Sequence, residues 1–418
     1  MLLGYMVKGV DTLLLALNEV SDTLEELVFT TGYPPKSGTF IPLGTVLSIC
    51  QKLQSLTYRC CINTDVFDLG TVPTRPLGLT ELDVNIIQDP PNLDDMMITL
   101  LQCSPHLRTL SMVCADGERL LRVIEEDCKE LESLELLGTV SYEAVRPSTG
   151  QHILLEDLSV YNTLDCADVI IPYLSRSTQT LKSLLLDLRP IAVPTWDPLL
   201  TWRFPNLRSL TLSFEEVDDN NFIASLISSL PQLEDVGFEE CDFIRFIVFD
   251  ALAGLANLHT LRIELALDAE EDSLSDMLLG FAEKGRTGPL KCVKFNACQE
   301  FIDTCDVLLS LATVESLQEI EIRDCPLITE ESMLQFCEKM RNHPSIARIE
   351  LAKLSSVTDM TLHSLSAIGS LSELKLDNLA HITDVGVSDF KVVNSGVNLD
   401  IIDCSQLEGS TSRMYHGI

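Results

Sequence analysis

Aliphatic residues recur along this chain in one short phrase, L-x-x-L-x-L, with polar residues between them. The phrase begins at Leu24 (LEELVF), Leu53 (LQSLTY), Leu79 (LTELDV), Leu107 (LRTLSM), Leu131 (LESLEL), Leu155 (LEDLSV), Leu181 (LKSLLL) and Leu207 (LRSLTL). It continues at Leu233 (LEDVGF), Leu258 (LHTLRI), Leu290 (LKCVKF), Leu317 (LQEIEI), Ile346 (IARIEL) and Leu371 (LSELKL), and a degraded copy ends Leu399-Asp400-Ile401. Fifteen copies spaced 24 to 32 residues apart are an internal repeat, not a chance clustering of aliphatics. Within each copy the later aliphatics alternate with polar residues, which predicts a short strand with one buried face. Stretches between copies, such as Asn221 to Ile227 and Met333 to Cys337, have helical spacing instead. One strand and one helix cannot close a core, but stacked copies bury a continuous one. The strands are therefore expected to run parallel on one side, over about 65–70 Å, with the helices on the other.

Two further signatures specify the repeat. Cysteine stands eight residues after the start of a copy at Cys61, Cys241, Cys298, Cys325 and Cys404. Late copies enter their helices through similar phrases, Leu327-Ile328-Thr329-Glu330, Val357-Thr358-Asp359 and Ile382-Thr383-Asp384. A threonine N-cap followed by an acid satisfies free amides and the helix dipole. The chain thus resembles the cysteine-containing leucine-rich repeats of F-box/leucine-rich-repeat proteins, the substrate receptors of cullin-based ubiquitin ligases. The resemblance spans the chain as a repeat type and is sharpest from Leu290 onward. It implies an α/β leucine-rich-repeat solenoid, a horseshoe of about fifteen repeats with a parallel sheet on the concave side and helices on the convex side. No F-box is visible: Gly9 to Val20 already reads as the helix of a repeat. Residues 1–23 are expected to be a partial repeat or imperfect cap, 24–404 the solenoid and 405–418 a short polar tail.

Charge narrows the partners. The chain has 29 Lys+Arg against 63 Asp+Glu, a net charge of −34. Such a surface repels nucleic acids and anionic membranes and favours encounter with basic proteins. The longest early apolar run, Leu13 to Leu17, is too short to span a bilayer. Fourteen cysteines in 418 residues, without an Asn-x-Ser/Thr sequon or a signal-peptide pattern, point to an intracellular protein, cytoplasmic or nuclear, with reduced thiols.

Motifs for chemistry are sparse. Gly280 to Thr287 approaches a phosphate-binding loop, but Arg286 stands where lysine is needed and Met277-Leu278-Leu279 before it continue a helix. Cys103, His106 and Cys114, or the pair Cys60-Cys61, fall short of the four converging ligands of a structural zinc site. No nucleophile–base arrangement is visible, so no catalysis, cofactor or metal is expected.

Recognition is expected instead at offsets +2, +4 and +6 from each repeat start, which face away from the core. Repeats five to eight form a patch of low charge there, with Leu137, Tyr161, Leu185 and Thr211 as candidate contacts. Repeats ten to fourteen show Arg262, Lys294, Arg323, Arg348 and Lys375 among glutamates. Those five bases suit either capture of an acidic or phosphorylated segment or a cross-strand ion-pair ladder, and alternation of sign between neighbouring strands favours the ladder. The proline-interrupted stretch Arg189 to Pro205 forbids a long helix and carries both tryptophans, Trp196 and Trp202, expected mainly as core in place of the missing helix. The function implied is a non-enzymatic protein-binding scaffold that resembles a ubiquitin-ligase adaptor, with ligase subunits as further partners. The alternative is an acidic inhibitor that sequesters a basic enzyme, similar to ribonuclease inhibitor.

Overall fold

All fifteen copies of the phrase become strands, and each strand begins two residues after its repeat start. The computed structural model describes residues 2–3, 10–31, 43–61, 75–87, 93–113, 117–137, 153–161, 167–188, 193–214, 219–241, 243–266, 268–298, 305–404 and 406. These belong to two compact units, 1–206 and 207–418.

In the first unit the strands are β1 (Leu2–Leu3), β2 (Glu26–Thr31), β3 (Ser55–Cys61), β4 (Glu81–Ile87), β5 (Thr109–Val113), β6 (Ser133–Leu137), β7 (Asp157–Tyr161) and β8 (Ser183–Asp187). They pair in chain order, all parallel. Helices α1 (Val10–Val20), α2 (Leu43–Ile49), α3 (Leu93–Gln102), α4 (Gly117–Asp127) and α5 (Ala167–Ser177) supply the second layer. After β8 the prolines permit only a 3-10 segment, Val193–Thr201. Trp196 within it is fully buried, filling the place of a helix, whereas Trp202 is half-buried with its ring edge-on to Phe204.

The second unit repeats the plan with β9 (Ser209–Ser213), β10 (Asp235–Glu239), β12 (Thr260–Glu264), β14 (Cys292–Asn296), β15 (Glu319–Arg323), β16 (Arg348–Ala352), β17 (Glu373–Asp377) and β18 (Asn398–Ile402). These pair parallel in that order, and a separate ribbon joins β11 (Phe243–Ile244) to β13 (Asp268–Ala269). Helices α6 (Asp219–Ser229), α7 (Phe246–Ala253), α8 (Glu271–Ala282), α9 (Cys305–Leu311), α10 (Glu330–Met340), α11 (Asp359–Leu365) and α12 (Asp384–Val393) cover its other side. Between the layers, the leucines and isoleucines of the phrase are almost wholly buried, except Leu399 and Ile401 of the degraded last copy, which are half-buried. Both units are α/β leucine-rich-repeat solenoids.

The cysteine position has a mechanical reason. Seven strands of the second unit end on a non-glycine residue with positive φ: Glu240, Leu265, Ala297, Asp324, Lys353, Asn378 and Asp403. The amide of each of the first six donates to the last carbonyl of the next strand, as Ala297 does to Arg323 O at 2.9 Å. The left-handed residue then aims its successor into the core, where a small weak donor fits. Cys241 Sγ donates to Leu212 O at 3.5 Å and Cys298 Sγ to Ile263 O at 3.4 Å. Seven of the ten described thiols are buried, none in a disulfide, and burial pushes the Cys128 and Cys337 thiols up to about 12, which keeps them unreactive.

The threonine phrases divide in their use. Thr329 and Thr358 accept amide hydrogen bonds from Ser332 and Met360 as N-caps. Thr383 caps nothing with its side chain, a departure from the expectation. Among the described residues, no helix is long and apolar enough to cross a membrane.

Candidate protein-recognition face

Parallel pairing without slippage lines the +2, +4 and +6 side chains into rows across each sheet. In the second unit the +4 row runs Thr211, Gly237, Arg262, Lys294, Glu321, Glu350, Lys375, Asp400. The five predicted bases all lie on this face, and every one is engaged by acids of the same face. Arg262 Nη2 is 2.8 Å from Asp235 Oδ1 and donates to Thr211 Oγ1 at 3.3 Å. It reaches Thr211 because Gly237, on the strand between, has no side chain; a Cβ there would lie 3.0 Å from Thr211 Oγ1. Thr211 is consequently buried. Its expected role as an open contact is corrected: Arg262 covers it.

Glu350 is the hub of three of the other four bases. Its side chain is 3% exposed and receives Arg323, Arg348 (3.2 Å) and Lys375 (2.9 Å). Lys294 bridges Glu319 at 3.4 Å and Glu321 at 3.1 Å, and Arg323 Nε lies 2.5 Å from Glu321. Arg348 also faces Glu373 at 3.6 Å. Burial pushes Glu321 up, but the hydrogen bond from Lys294 and the charges of Lys294 and Arg323 outweigh it and hold the carboxyl below its usual range. Lys294 is correspondingly held above the usual lysine value, its own burial offset by Glu321. The ladder is thus the arrangement formed, and a phosphorylated ligand would have to displace protein carboxylates from each base. Nine acids and five bases occupy the three rows of this unit, so the face stays acidic after pairing. Glu239 illustrates the surplus: burial and then the charge of Glu264 push it above the usual carboxylate range.

The first unit carries the neutral patch. Leu137 and Tyr161 are register partners on β6 and β7, both half-buried. Val113, partner of Leu137 on β5, extends them into a three-residue apolar row. It belongs to repeat four, outside the stretch where low charge draws attention in the sequence. Leu185 is corrected: at 8% exposure it is packed away, because a leucine among serines lies against its neighbours and removes its surface from water. Six acids and one base, Arg59, stand at the same three offsets in β2 to β8.

The sequence decoys have other occupations. Gly280 lies within α8, and Gly285–Thr287 forms a 3-10 turn in which Lys284 sits over the Phe281 ring at 4.2 Å, so no strand leads into a phosphate loop. His106 Nδ1 is 3.1 Å from Glu130 Oε1. Cys114 lies outside the described residues, and among those described no three potential ligands converge as a metal site would require.

None of the protein-family models matches this sequence, and no curated protein matches it. Among solved structures the chain is similar to one in the Rad7–Elc1 complex of yeast, at 17% identity and a TM-score of 0.47, over 93% of this chain and 92% of that one. It is also similar to TLR13 in its complex with ssRNA13, at 15% identity and a TM-score of 0.41, over 92% of this chain and 56% of that one. Likenesses this distant say nothing of function.

Proposed function

We propose that this chain is a protein-recognition scaffold that holds its partner on the exposed sheet face, and that it serves as the substrate-binding part of a ubiquitin ligase of the F-box/leucine-rich-repeat kind. One observation carries the scaffold reading. Within each unit, uninterrupted parallel register makes each repeat contribute three side chains to one ordered surface, and the described residues bring no catalytic constellation together on it. The adaptor role rests on the resemblance, which the buried cysteines behind the strand ends support. Affinity purification with mass spectrometry is the test. Recovery of ligase subunits together with a target supports the adaptor; the absence of any stoichiometric protein partner overturns the scaffold.

The acid surplus on both faces favours a second reading, sequestration of a basic enzyme. Its signature is one basic enzyme recovered stoichiometrically without ligase subunits, and inhibited when the purified chain is added back.

A further inference from the structure

On the sheet face of the first unit, Asp83 Oδ1 and Ser111 Oγ are buried with no hydrogen-bond partner. Asp83 on β4 and Ser111 on β5 are register partners, and Ser111 faces Glu135 on β6. Ser111 is only 7% exposed. The other oxygen of Asp83 is taken by Arg59, at 2.7 Å from Nη2 and 2.9 Å from Nε. Glu135 has neither an ion pair nor a hydrogen bond among the described residues. Two orphaned oxygens beside an unneutralised carboxylate form an acceptor site that lacks its donor. Buried oxygens are ordinarily paired, because a lost water contact that nothing replaces is costly. Several N–H donors arriving on one positive group, an ammonium or guanidinium, match this set.

The apolar row lies immediately beyond. Val113, Leu137 and Tyr161 are each two residues further along their strands than Ser111, Glu135 and Ser159, a step of about 7 Å. An extended peptide places its own alternate side chains at the same interval on one side. We propose that this is the docking point for an extended segment of a partner protein in which a lysine or arginine stands two residues from a bulky apolar residue. The cation fills the Asp83–Ser111–Glu135 acceptor site while the apolar side chain covers Leu137 and its neighbours. This rests on the scaffold reading and specifies the chemistry of its partner. The six-to-one excess of acids over bases on this unit's face agrees in sign.

The test is fluorescence anisotropy on the full chain with short labelled peptides built around Arg-Ser-Leu, Glu-Ser-Leu and Arg-Ser-Ser. Only Arg-Ser-Leu is expected to bind well, with roughly tenfold loss for each of Ser111→Ala, Glu135→Gln and Leu137→Ser, and none for Asp400→Asn in the other unit. Ser111→Ala removes no hydrogen bond within the protein, so its thermal unfolding should be unimpaired and its binding defect specific. Equal binding of Glu-Ser-Leu, unchanged affinity in Ser111→Ala and Glu135→Gln, or no binding by any peptide overturns the proposal. Unchanged affinity with lowered stability in Ser111→Ala would assign the orphaned oxygen to an internal water and overturn the proposal. A protein partner captured in cells but cross-linked only to the face of the second unit would overturn this docking point and leave the scaffold reading standing.

Discussion

Asp359 and Thr383, at the starts of neighbouring helices, are joined twice: Thr383 Oγ1 donates to Asp359 Oδ2 at 2.6 Å and Thr383 N to Oδ1 at 2.9 Å. The previous pair of repeats makes a single version of this link, from Thr358 Oγ1 to Glu330 Oε1 at 2.7 Å. The Thr-Asp/Glu phrase therefore staples repeats together as well as capping helices.

The staple needs room, and Gly386 provides it. A Cβ at Gly386 would lie 2.1 Å from Asp359 Oδ1. Gly386→Ala is expected to cost about 2 kcal/mol by overpacking and loss of the staple. In an Asp359→Ala background the same substitution should cost much less. Chemical denaturation of the four-member mutant cycle measures the coupling; equal costs in both backgrounds would show that Gly386 serves another purpose.

Glu350 is the most consequential charge of the second unit. Glu350→Ala leaves Arg323, Arg348 and Lys375 facing one another without their shared partner. A loss of about 3 kcal/mol in the urea unfolding free energy is expected, since removing one partner of a buried pair strands the others. Truncating a rim acid such as Glu373, which is 37% exposed, should cost about 0.5 kcal/mol or less.

His343 makes stability depend on pH. Its Nδ1 accepts from Ile346 N at 3.1 Å, so the proton sits on Nε2, which donates to Val314 O at 3.0 Å. Burial, the largest influence, holds its pKa below the ordinary histidine value. The unfolded chain therefore takes up this proton first as pH falls through about 6.5. The stability is fully present above that pH and declines below it, until the folded ring is protonated in turn. His343→Gln should flatten this part of the pH profile in thermal unfolding; an identical slope in the variant would remove His343 as its cause.

Leu265 occupies the left-handed region at φ 53 and is 47% exposed. The same turn position is filled by Asn378 and Asp403 in other repeats, residues that tolerate that conformation better. Leu265→Asn is expected to raise the melting temperature, corresponding to about 1 kcal/mol, because the amide donating to Asn296 O at 2.8 Å is kept. A lowered melting temperature would mean that the leucine side chain contributes packing that outweighs its strain.

The sequence by itself determined the repeat, its strands and the face each side chain takes, because a period-two pattern is local and every copy restates it. It indicated the ion ladder as well, since alternating signs at equal offsets can be read before folding. It could also place Trp196 in the core, prolines having removed the helix that would otherwise fill that space. What only the tertiary structure decided lies across strands, between residues 24 to 51 positions apart. Gly237 shows why: it opens a path along which Arg262 covers Thr211, and neither partner marks the other in the sequence. The burial of Leu185, the use of Thr383 as a staple and the unpaired oxygens of Asp83 and Ser111 have the same origin. Exposure and hydrogen-bond satisfaction are set by lateral neighbours, which a one-dimensional pattern does not contain.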